Sequence, residues 1–222
     1  MDETLIAVKG LNRSFTSGNS ERVVVLRDVD CEIRSGARIA LVGPSGSGKT
    51  TLLHILGGLD RPTSGMVYWP GLGAFEQLRP RMIGVVFQSP SLFPALTAAQ
   101  NVALPLILAG EAGGAEAEAA SLLDALGLGD LADKLPEELS GGQAQRVAMA
   151  RALAIGPRLI LADEPTGQLD SVTAQLFFDT VLEVLEGANT ALVVATHDNA
   201  IAQRMDTCWV MDHGHVNSPF PQ

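Results

Sequence analysis

The segment between residues 43 and 50 contains the residue types that bind phosphate groups. It fits the spacing G-x-x-x-x-G-K-[ST] at every fixed position: Gly43-Pro44-Ser45-Gly46-Ser47-Gly48-Lys49-Thr50. Glycines let backbone N–H groups turn inward around phosphate oxygens, and a helix N-terminus adds a positive dipole there. Lys49 has the reach for β- and γ-phosphates, and the Thr50 hydroxyl suits Mg²⁺. The motif predicts a nucleoside triphosphate site.

The residues on either side of this loop supply the elements that must position it. The apolar run Ile39–Val42 precedes the loop and predicts a buried strand, and Thr51–Leu56 predicts the start of a helix. Strand, glycine-rich loop and helix together are the context that the motif requires, whereas an ordinary Gly/Ser turn would not need them. We therefore assign Gly43–Thr51 to nucleoside triphosphate binding.

A second short apolar run, Leu159–Ala162, ends in the two carboxylates Asp163 and Glu164. Phosphoryl transfer needs a carboxylate that holds Mg²⁺ and a group that orients or deprotonates the attacking water. Asp163 suits the first role and Glu164 the second. On its own such a pair is more often a solvated strand end or a helix cap. Together with the phosphate loop it becomes strong evidence for a site of Mg²⁺-dependent phosphoryl transfer.

Composition limits the classes of partner. The chain has 222 residues, 46% of them hydrophobic, and a net charge of −10. This charge argues against a nucleic-acid surface and against adsorption to an anionic membrane. No apolar run approaches the ~18 residues that span a bilayer, and the acidic start does not fit a secretion signal. Cys31 and Cys208 have no metal or redox spacing, so we expect reduced core thiols in a cytoplasmic chain.

The pattern of apolar residues predicts strands first and then strands alternating with helices. Runs at Leu5–Val8 and Val23–Ile33, joined by a polar loop over 16–20, predict an N-terminal antiparallel sheet. Further strands are expected at 65–69, 83–87, 159–162 and 191–195, with a helix at about 171–185. Such alternation indicates a parallel sheet with crossover connections.

The stretch from about residue 91 to 139 is rich in Ala and Leu and predicts a helical subdomain, with a helix at 115–123 and a loop at 109–114. Another helix is expected at 143–154. His213 and His215 could suggest a metal, but a turn between short strands fits them better. The Pro-rich tail from residue 217 predicts a loose end.

A third motif indicates the family. Leu139-Ser140-Gly141-Gly142-Gln143 stands directly before the predicted helix, about 20 residues before the ADEPTG segment that contains Asp163 and Glu164. On its own, a Ser-Gly-Gly sequence before a helix can be an ordinary turn with a serine N-cap. In this order and spacing, however, the motifs closely resemble those of the ATP-binding cassette (ABC) ATPases, over nearly the whole chain.

The resemblance implies a fold. It is an α/β P-loop NTPase (RecA-like) with a parallel-sheet core, an N-terminal antiparallel β subdomain and an inserted α-helical subdomain. The chain would be a single ABC ATPase domain over 1–222, with the nucleotide-binding core at about 1–88 and 157–222 and the helical subdomain at about 89–156.

The resemblance also implies roles for single residues. Phe15 matches the aromatic residue that stacks on adenine, and Gln88 matches the glutamine that touches Mg²⁺ and senses the membrane partner. His197 matches the histidine that contacts the γ-phosphate. The expected catalytic residues are then Lys49, Glu164 and His197; the expected metal ligands are Thr50, Gln88 and Asp163.

Two copies of such a domain are implied to pair head to tail as a homodimer. ATP would lie between the phosphate loop of one copy and, in trans, the signature residues Ser140, Gly141, Gly142 and Gln143 of the other. Asp170 falls in the loop, 167–170, that crosses to the second subunit. In the ABC ATPases, Asn or Ala is commoner at the position where this chain has Gln168.

The implied function is hydrolysis of ATP that energises a separate membrane-spanning permease, with ATP and Mg²⁺ as cofactors. The chain would lie at the inner face of the cell membrane through that permease, without inserting itself and without binding nucleic acid. The segments 52–65 and 163–167 resemble the branch of lipoprotein release, macrolide export and peptide-antibiotic resistance, although the segment between Val67 and Ile83 is shorter than usual there. Apolar residues after Gln88 are candidates either for permease docking or for the core: Leu92, Phe93, Leu96 and Leu104.

One alternative is a cassette that drives a membrane complex without moving a solute, for example in cell division. Motifs do not separate this mechanotransmission from transport. A soluble cassette for translation or DNA repair would resemble tandem cassettes, long coiled coils or basic surfaces. The single cassette, the lack of a heptad run and the net charge of −10 disfavour it. A phosphate-loop kinase or GTPase outside this family is disfavoured further, because the Leu139–Gln143 motif would then be a coincidence.

Overall fold

A computed structural model describes residues 3–16 and 22–217 of the chain. Most of the predicted polar loop at 16–20, and the predicted loose tail beyond residue 217, lie outside the described residues. The chain divides into two compact units. The first comprises Met1–Leu78 and Ala191–Gln222, and the second comprises Arg79–Thr190.

Strands and helices both run through the described residues, as expected of an α/β chain. The strands are β1 Thr4–Thr16, β2 Arg22–Arg34, β3 Arg38–Val42, β4 Ser64–Tyr68, β5 Ile83–Val86, β6 Leu159–Asp163, β7 Ala191–Ala195, β8 Thr207–Asp212 and β9 His215–Asn217. The α-helices are α1 Lys49–Leu56, α2 Ala98–Leu108, α3 Ala115–Ala125, α4 Gly141–Leu153, α5 Ser171–Val184 and α6 Asn199–Ala202. Across the described part of the chain, none of the helices has the length and apolar character needed to cross a membrane.

The first unit opens with an antiparallel sheet in the order β2-β1-β4. This confirms the predicted N-terminal sheet, but β1 is much longer than the predicted Leu5–Val8. Its register shifts between Val8 and Leu11, where Gly10 has a φ of +55°. Such a bulge breaks the two-residue alternation, so the sequence pattern stops at Val8 although the strand continues.

A parallel group of strands completes the first unit, with β3 between β7 and β8. The fully buried strand β7 supplies an apolar face, as a parallel sheet covered on both sides requires. β9 returns antiparallel to β8 through a turn at His213 and Gly214, both at positive φ. The predicted turn is therefore present, and no cluster of His, Cys, Asp and Glu that could hold a metal occurs in the described ranges.

The second unit pairs β5 with β6 in parallel and carries helices α2 to α5. α2 packs against α3 and α4, and α4 packs against β5. The helices predicted at 115–123 and 143–154 are found at Ala115–Ala125 and Gly141–Leu153, and the segment between α2 and α3 is a loop. The division into a core and a helical subdomain at 89–156 stays a prediction.

The two cysteines are free, as predicted, but both are half-buried rather than core residues. Desolvation, followed by the neighbouring charge of Asp30, raises the pKa of the Cys31 thiol to about 12. Burial also raises the pKa of Cys208. Both groups therefore stay protonated at neutral pH.

We expect Gly84→Ala to destabilise the second unit, because a methyl group there would overlap the carbonyl oxygen of Ala152 in α4. Forcing β5 and α4 apart should lower the free energy of unfolding by about 1–3 kcal/mol. Urea denaturation measures the change. The control is Gly113→Ala, where a Cβ would meet nothing within 4 Å. Equal midpoints for both variants would contradict close packing at Gly84.

Candidate active site

The phosphate-loop segment connects β3 to α1 in the first unit. β3 ends at Val42 and α1 begins at Lys49, as the motif requires. Gly48 has a φ of +109°, and a Cβ at this position would lie 2.9 Å from Leu26 Cδ2 and 3.0 Å from the backbone oxygen of Val25. Any larger residue would therefore displace the loop from β2. The N-terminus of α1 opens directly at the loop, where its dipole favours an anion.

Lys49 is buried at this loop. Its Nζ donates to the backbone oxygens of Gly43 at 2.7 Å and Pro44 at 3.0 Å, so the loop itself holds the ammonium group. The hydroxyl of Ser47 is buried and has no hydrogen-bond partner among the described residues. A buried unsatisfied hydroxyl is costly, and a phosphate oxygen would satisfy it. The loop therefore has the shape and the donors of a phosphate cradle.

His197 lies at the same edge of the first unit's parallel strands as the phosphate loop. β3 and β7 are parallel, with Leu41 opposite Ala195, and the Thr196 backbone N–H donates to the Leu41 oxygen at 3.1 Å. The chain then turns, because the Asp198 carboxylate accepts from the Ala200 N–H at 2.8 Å and begins α6. His197 is exposed at this turn, which gives it access to a ligand at the loop.

Phe15, the predicted adenine-stacking residue, lies near the end of β1 opposite Val23 and is 43% exposed. The guanidinium of Arg13 lies over its ring. Sequence reasoning missed Arg13, because a charged residue two positions before an aromatic one on a strand carries no signal by itself. The only hint was the shared strand face of residues 13 and 15.

In the second unit, β5 and β6 bring three predicted residues to one edge. The strands are parallel with Val86 opposite Ala162, so Gln88 follows the same end of the pair at which Asp163 and Glu164 stand. Asp163 is buried, and Gln88 is exposed. Glu164 has a φ of +47°, a conformation uncommon outside glycine that is concentrated at functional sites.

Gln145 on α4 connects this helix to the ends of β5 and β6, and sequence reasoning missed it. Its Nε2 donates to the backbone oxygens of Phe87 at 3.3 Å and Glu164 at 3.5 Å, and its side chain is fully buried. Gln145 stands on the buried face of α4 with Ala148 and Met149. A glutamine at an apolar helix position is the signal that could have revealed it.

The signature residues form the start of α4. Ser140 Oγ accepts from the Gln143 N–H at 3.2 Å, and Gln143 Oε1 accepts from the Ser140 N–H at 2.9 Å. This reciprocal capping box fixes the helix start, and the absence of side chains at Gly141 and Gly142 leaves room for the side chains of Gln168 and Leu169. A Cβ at Gly141 would overlap Gln168 Oε1, so the amide of Gln168 lies against the signature turn of its own unit.

Asp170, predicted for the loop between subunits, caps α5. Its Oδ1 accepts from the N–H groups of Val172 at 3.2 Å and Thr173 at 3.1 Å. Hydrogen bonding from Thr173 and then Val172 lowers the pKa of Asp170. The carboxylate is exposed and stays charged at neutral pH.

Each unit thus assembles part of the predicted residue set. The first contains Phe15, Gly43–Thr51 and His197, and the second contains Gln88, Ser140–Gln143, Asp163, Glu164 and Asp170. The first set offers donors for a polyphosphate and a ring for a base. The second offers carboxylates and an amide at strand ends, together with a second glycine-containing helix start.

Comparison with known proteins adds four findings. The profile of the ABC transporter family matches residues 26–167. The lipoprotein-releasing system ATP-binding protein LolD of Legionella pneumophila (strain Paris) is 47% identical over 97% of this chain and 98% of its own. LolD of Shewanella oneidensis is 41% identical over 99% of this chain and 98% of its own. The dimeric post-hydrolysis structure of the ATP-binding cassette MJ0796 bound to ADP and Pi superposes with a TM-score of 0.88, at 36% identity over 96% of this chain and 97% of that one.

Proposed function

The chain belongs to the ABC transporter family and is an ATP-binding cassette ATPase, and on that premise we propose that it energises a separate membrane complex that releases lipoproteins. The observation that carries this proposal is the full-length match to proteins named as ATP-binding subunits of a lipoprotein-releasing system. The fold class predicted from the sequence is confirmed by the likeness to ABC cassettes.

In this proposal the first unit binds the nucleotide. Lys49 exchanges its carbonyl partners on Gly43 and Pro44 for β- and γ-phosphate oxygens, and Ser47 Oγ gains the partner that it lacks. Thr51 continues the helix start whose N–H groups face the phosphates. Phe15 stacks on the base, and His197 contacts the γ-phosphate from the adjoining strand end.

The second unit supplies the hydrolytic groups in the same proposal. Glu164 orients the attacking water and accepts its proton. The amide of Gln88 and the carboxylate of Asp163 are oxygen donors of the kind that Mg²⁺ prefers, as is the hydroxyl of Thr50, which belongs to the first unit. Such an ion, when bound, neutralises charge on the β- and γ-phosphates. The buried position of Asp163 at a strand end suits a ligand of a cation.

Movement arises from a dimer that closes on ATP. Ser140–Gln143 of one copy grips the γ-phosphate held by the phosphate loop of the other, and Asp170 lies in the loop between them. Removal of the γ-phosphate takes away a ligand that both copies hold, so hydrolysis favours opening. The dimeric, ADP- and Pi-bound state of MJ0796, at 36% identity, supports this assembly.

A membrane partner would dock on the apolar segment that follows Gln88. Phe93 is 54% exposed, and Ile107 and Leu108 are also exposed. The turn that presents Phe93 is rigid, because the buried Asn101 donates to the oxygens of Phe93, Leu96 and Thr97 and accepts from the Phe93 N–H. Leu92, Leu96 and Leu104 are half-buried and serve partly as support for this segment. An ordered, exposed aromatic side chain is typical of an interface anchor.

Affinity purification of the tagged chain from detergent-solubilised membranes should recover an integral membrane protein. Phe93→Asp is expected to remove most of it, because a charge would replace the apolar anchor. The matched control is Met66→Asp, at a residue 55% exposed in the first unit's antiparallel sheet, which should retain the partner. Recovery of soluble partners alone would contradict the proposal.

The identity of the recovered membrane protein distinguishes lipoprotein release from mechanotransmission. A lipoprotein-handling membrane protein would support the proposed role in lipoprotein release and would place the cassette at the inner face of the cell membrane. A membrane protein that moves no solute would favour mechanotransmission with the same ATPase.

A further inference from the structure

Arg13 lies over the ring that we assign to the nucleotide base. Its Cζ is 4.3 Å from the centroid of the Phe15 ring, within the range of a cation–π contact. Phe15 is nevertheless 43% exposed, although a phenylalanine without a ligand is ordinarily buried. The guanidinium covers one face of the ring, and the exposed surface is available to a planar ligand.

Asp60 fixes the orientation of this guanidinium. Arg13 Nε and Nη2 donate to Asp60 Oδ2 at 2.9 Å and Oδ1 at 2.8 Å. A bidentate fork of this kind sets the plane of the guanidinium as well as its position. Asp60 Oδ1 also accepts from the Arg61 N–H at 2.7 Å, so the carboxylate is itself held in place.

Asp60 is anchored to the helix that begins at the phosphate loop. The Leu59 and Asp60 N–H groups donate to the His54 oxygen in α1 at 2.7 and 3.2 Å. A continuous series of contacts therefore runs from α1 through Asp60 and Arg13 to Phe15. Because all of these residues belong to the first unit, the series fixes the ring relative to the phosphate loop.

We propose that Arg13, held by Asp60, is a positioning residue that orients the Phe15 ring for stacking on the purine base. The inference rests on the proposed role of Phe15 in nucleotide binding. A ring restrained before the ligand arrives loses less rotational freedom on binding. A cation on the far face also draws π-electron density away from the face that meets the base, which reduces repulsion between the stacked rings.

The test compares equilibrium binding of ATP with that of inorganic tripolyphosphate, which lacks a base. Arg13→Gln combined with Asp60→Asn removes the cation without leaving an unpaired carboxylate. We expect the dissociation constant for ATP to rise about three- to tenfold, and that for tripolyphosphate to stay unchanged. The control is Arg34→Gln, which breaks an exposed ion pair with Glu32 at the other end of β2 and should leave ATP binding unchanged.

Phe15→Leu separates this inference from the proposed nucleotide site. We expect it to weaken ATP binding, and we expect the Arg13/Asp60 change to add nothing in its background. Wild-type ATP affinity in Phe15→Leu would overturn the role of Phe15 itself. If Phe15→Leu binds ATP weakly, any of three results would overturn the role of Arg13 alone. The first is that the losses of ATP affinity multiply when the Arg13/Asp60 change is combined with Phe15→Leu, and the second is that the Arg13/Asp60 variant binds tripolyphosphate more weakly. The third is that this variant binds ATP as tightly as the wild type or more tightly.

A variant that retains the charge provides the same test if the double variant does not fold. Arg13→Lys keeps the cation but loses the planar stack and the two-point fork to Asp60. The expected result is again weaker binding of ATP with unchanged binding of tripolyphosphate. Wild-type ATP affinity in Arg13→Lys would show that charge alone suffices, against the orienting role.

Discussion

Glu164→Gln should bind ATP normally, hydrolyse it at least about a hundredfold more slowly, and form a stable dimer in its presence. The amide keeps the size and hydrogen-bonding shape of the side chain but does not accept a proton from water. Because the γ-phosphate stays in place, both copies keep their shared ligand and the closed dimer persists. Single-turnover hydrolysis and analytical ultracentrifugation with ATP and Mg²⁺ measure the two effects.

Glu183→Gln is the matched control, since Glu183 is an exposed carboxylate on α5 of the same unit. It should hydrolyse ATP at the wild-type rate and should not trap a dimer. Near wild-type turnover in Glu164→Gln would show that another group accepts the proton. A monomer at saturating ATP would instead count against closure of a dimer as the coupling step.

The backbone at Glu164 adopts a strained conformation that neighbouring residues must hold in place. Its φ of +47° costs free energy, on the order of 1–3 kcal/mol for a residue other than glycine. The Glu164 oxygen accepts from the Gly167 N–H at 3.1 Å and from Gln145 Nε2 at 3.5 Å. These contacts are to the backbone oxygen, so they hold in place the main chain from which the carboxylate extends at the strand end.

Local sequence signals predicted the elements that carry the site. The phosphate loop, the strand before it and the helix after it follow from the glycine-rich motif and the apolar runs on either side of it, all within about twenty positions of one another. The strand at 191–195 was predicted to the residue, because a fully buried parallel strand is a short apolar run with sharp ends.

Local sequence signals did not predict the contacts between segments that are far apart in the chain. Arg13 meets Asp60 across 47 residues, and Gln145 meets Phe87 across 58. Neither pair has a periodic spacing, because tertiary packing alone brings the partners together. The extension of β1 past Val8 was missed for another reason, since its bulges interrupt the alternation on which strand prediction depends.

A mixture of two inactive variants, Lys49→Ala and Ser140→Arg, should regain ATPase activity. Lys49→Ala removes the buried cation of the phosphate loop and leaves the signature helix intact. Ser140→Arg removes the cap of α4 and places a bulky side chain where the γ-phosphate would lie. Each homodimer then has two damaged sites, so each variant alone should be inactive. We expect a maximum of ATPase rate near equal amounts of the two.

The size of the recovery follows from the symmetry of the dimer. Random mixing makes about half of the dimers mixed, and in each of these one composite site is wild type while the other is doubly damaged. Up to about a quarter of wild-type activity could therefore return, and strict coupling between the two sites would lower that figure. Wild-type activity in Ser140→Arg alone would exclude the signature residues from the site. No recovery, with mixed dimers shown to form, would contradict a site shared between two copies.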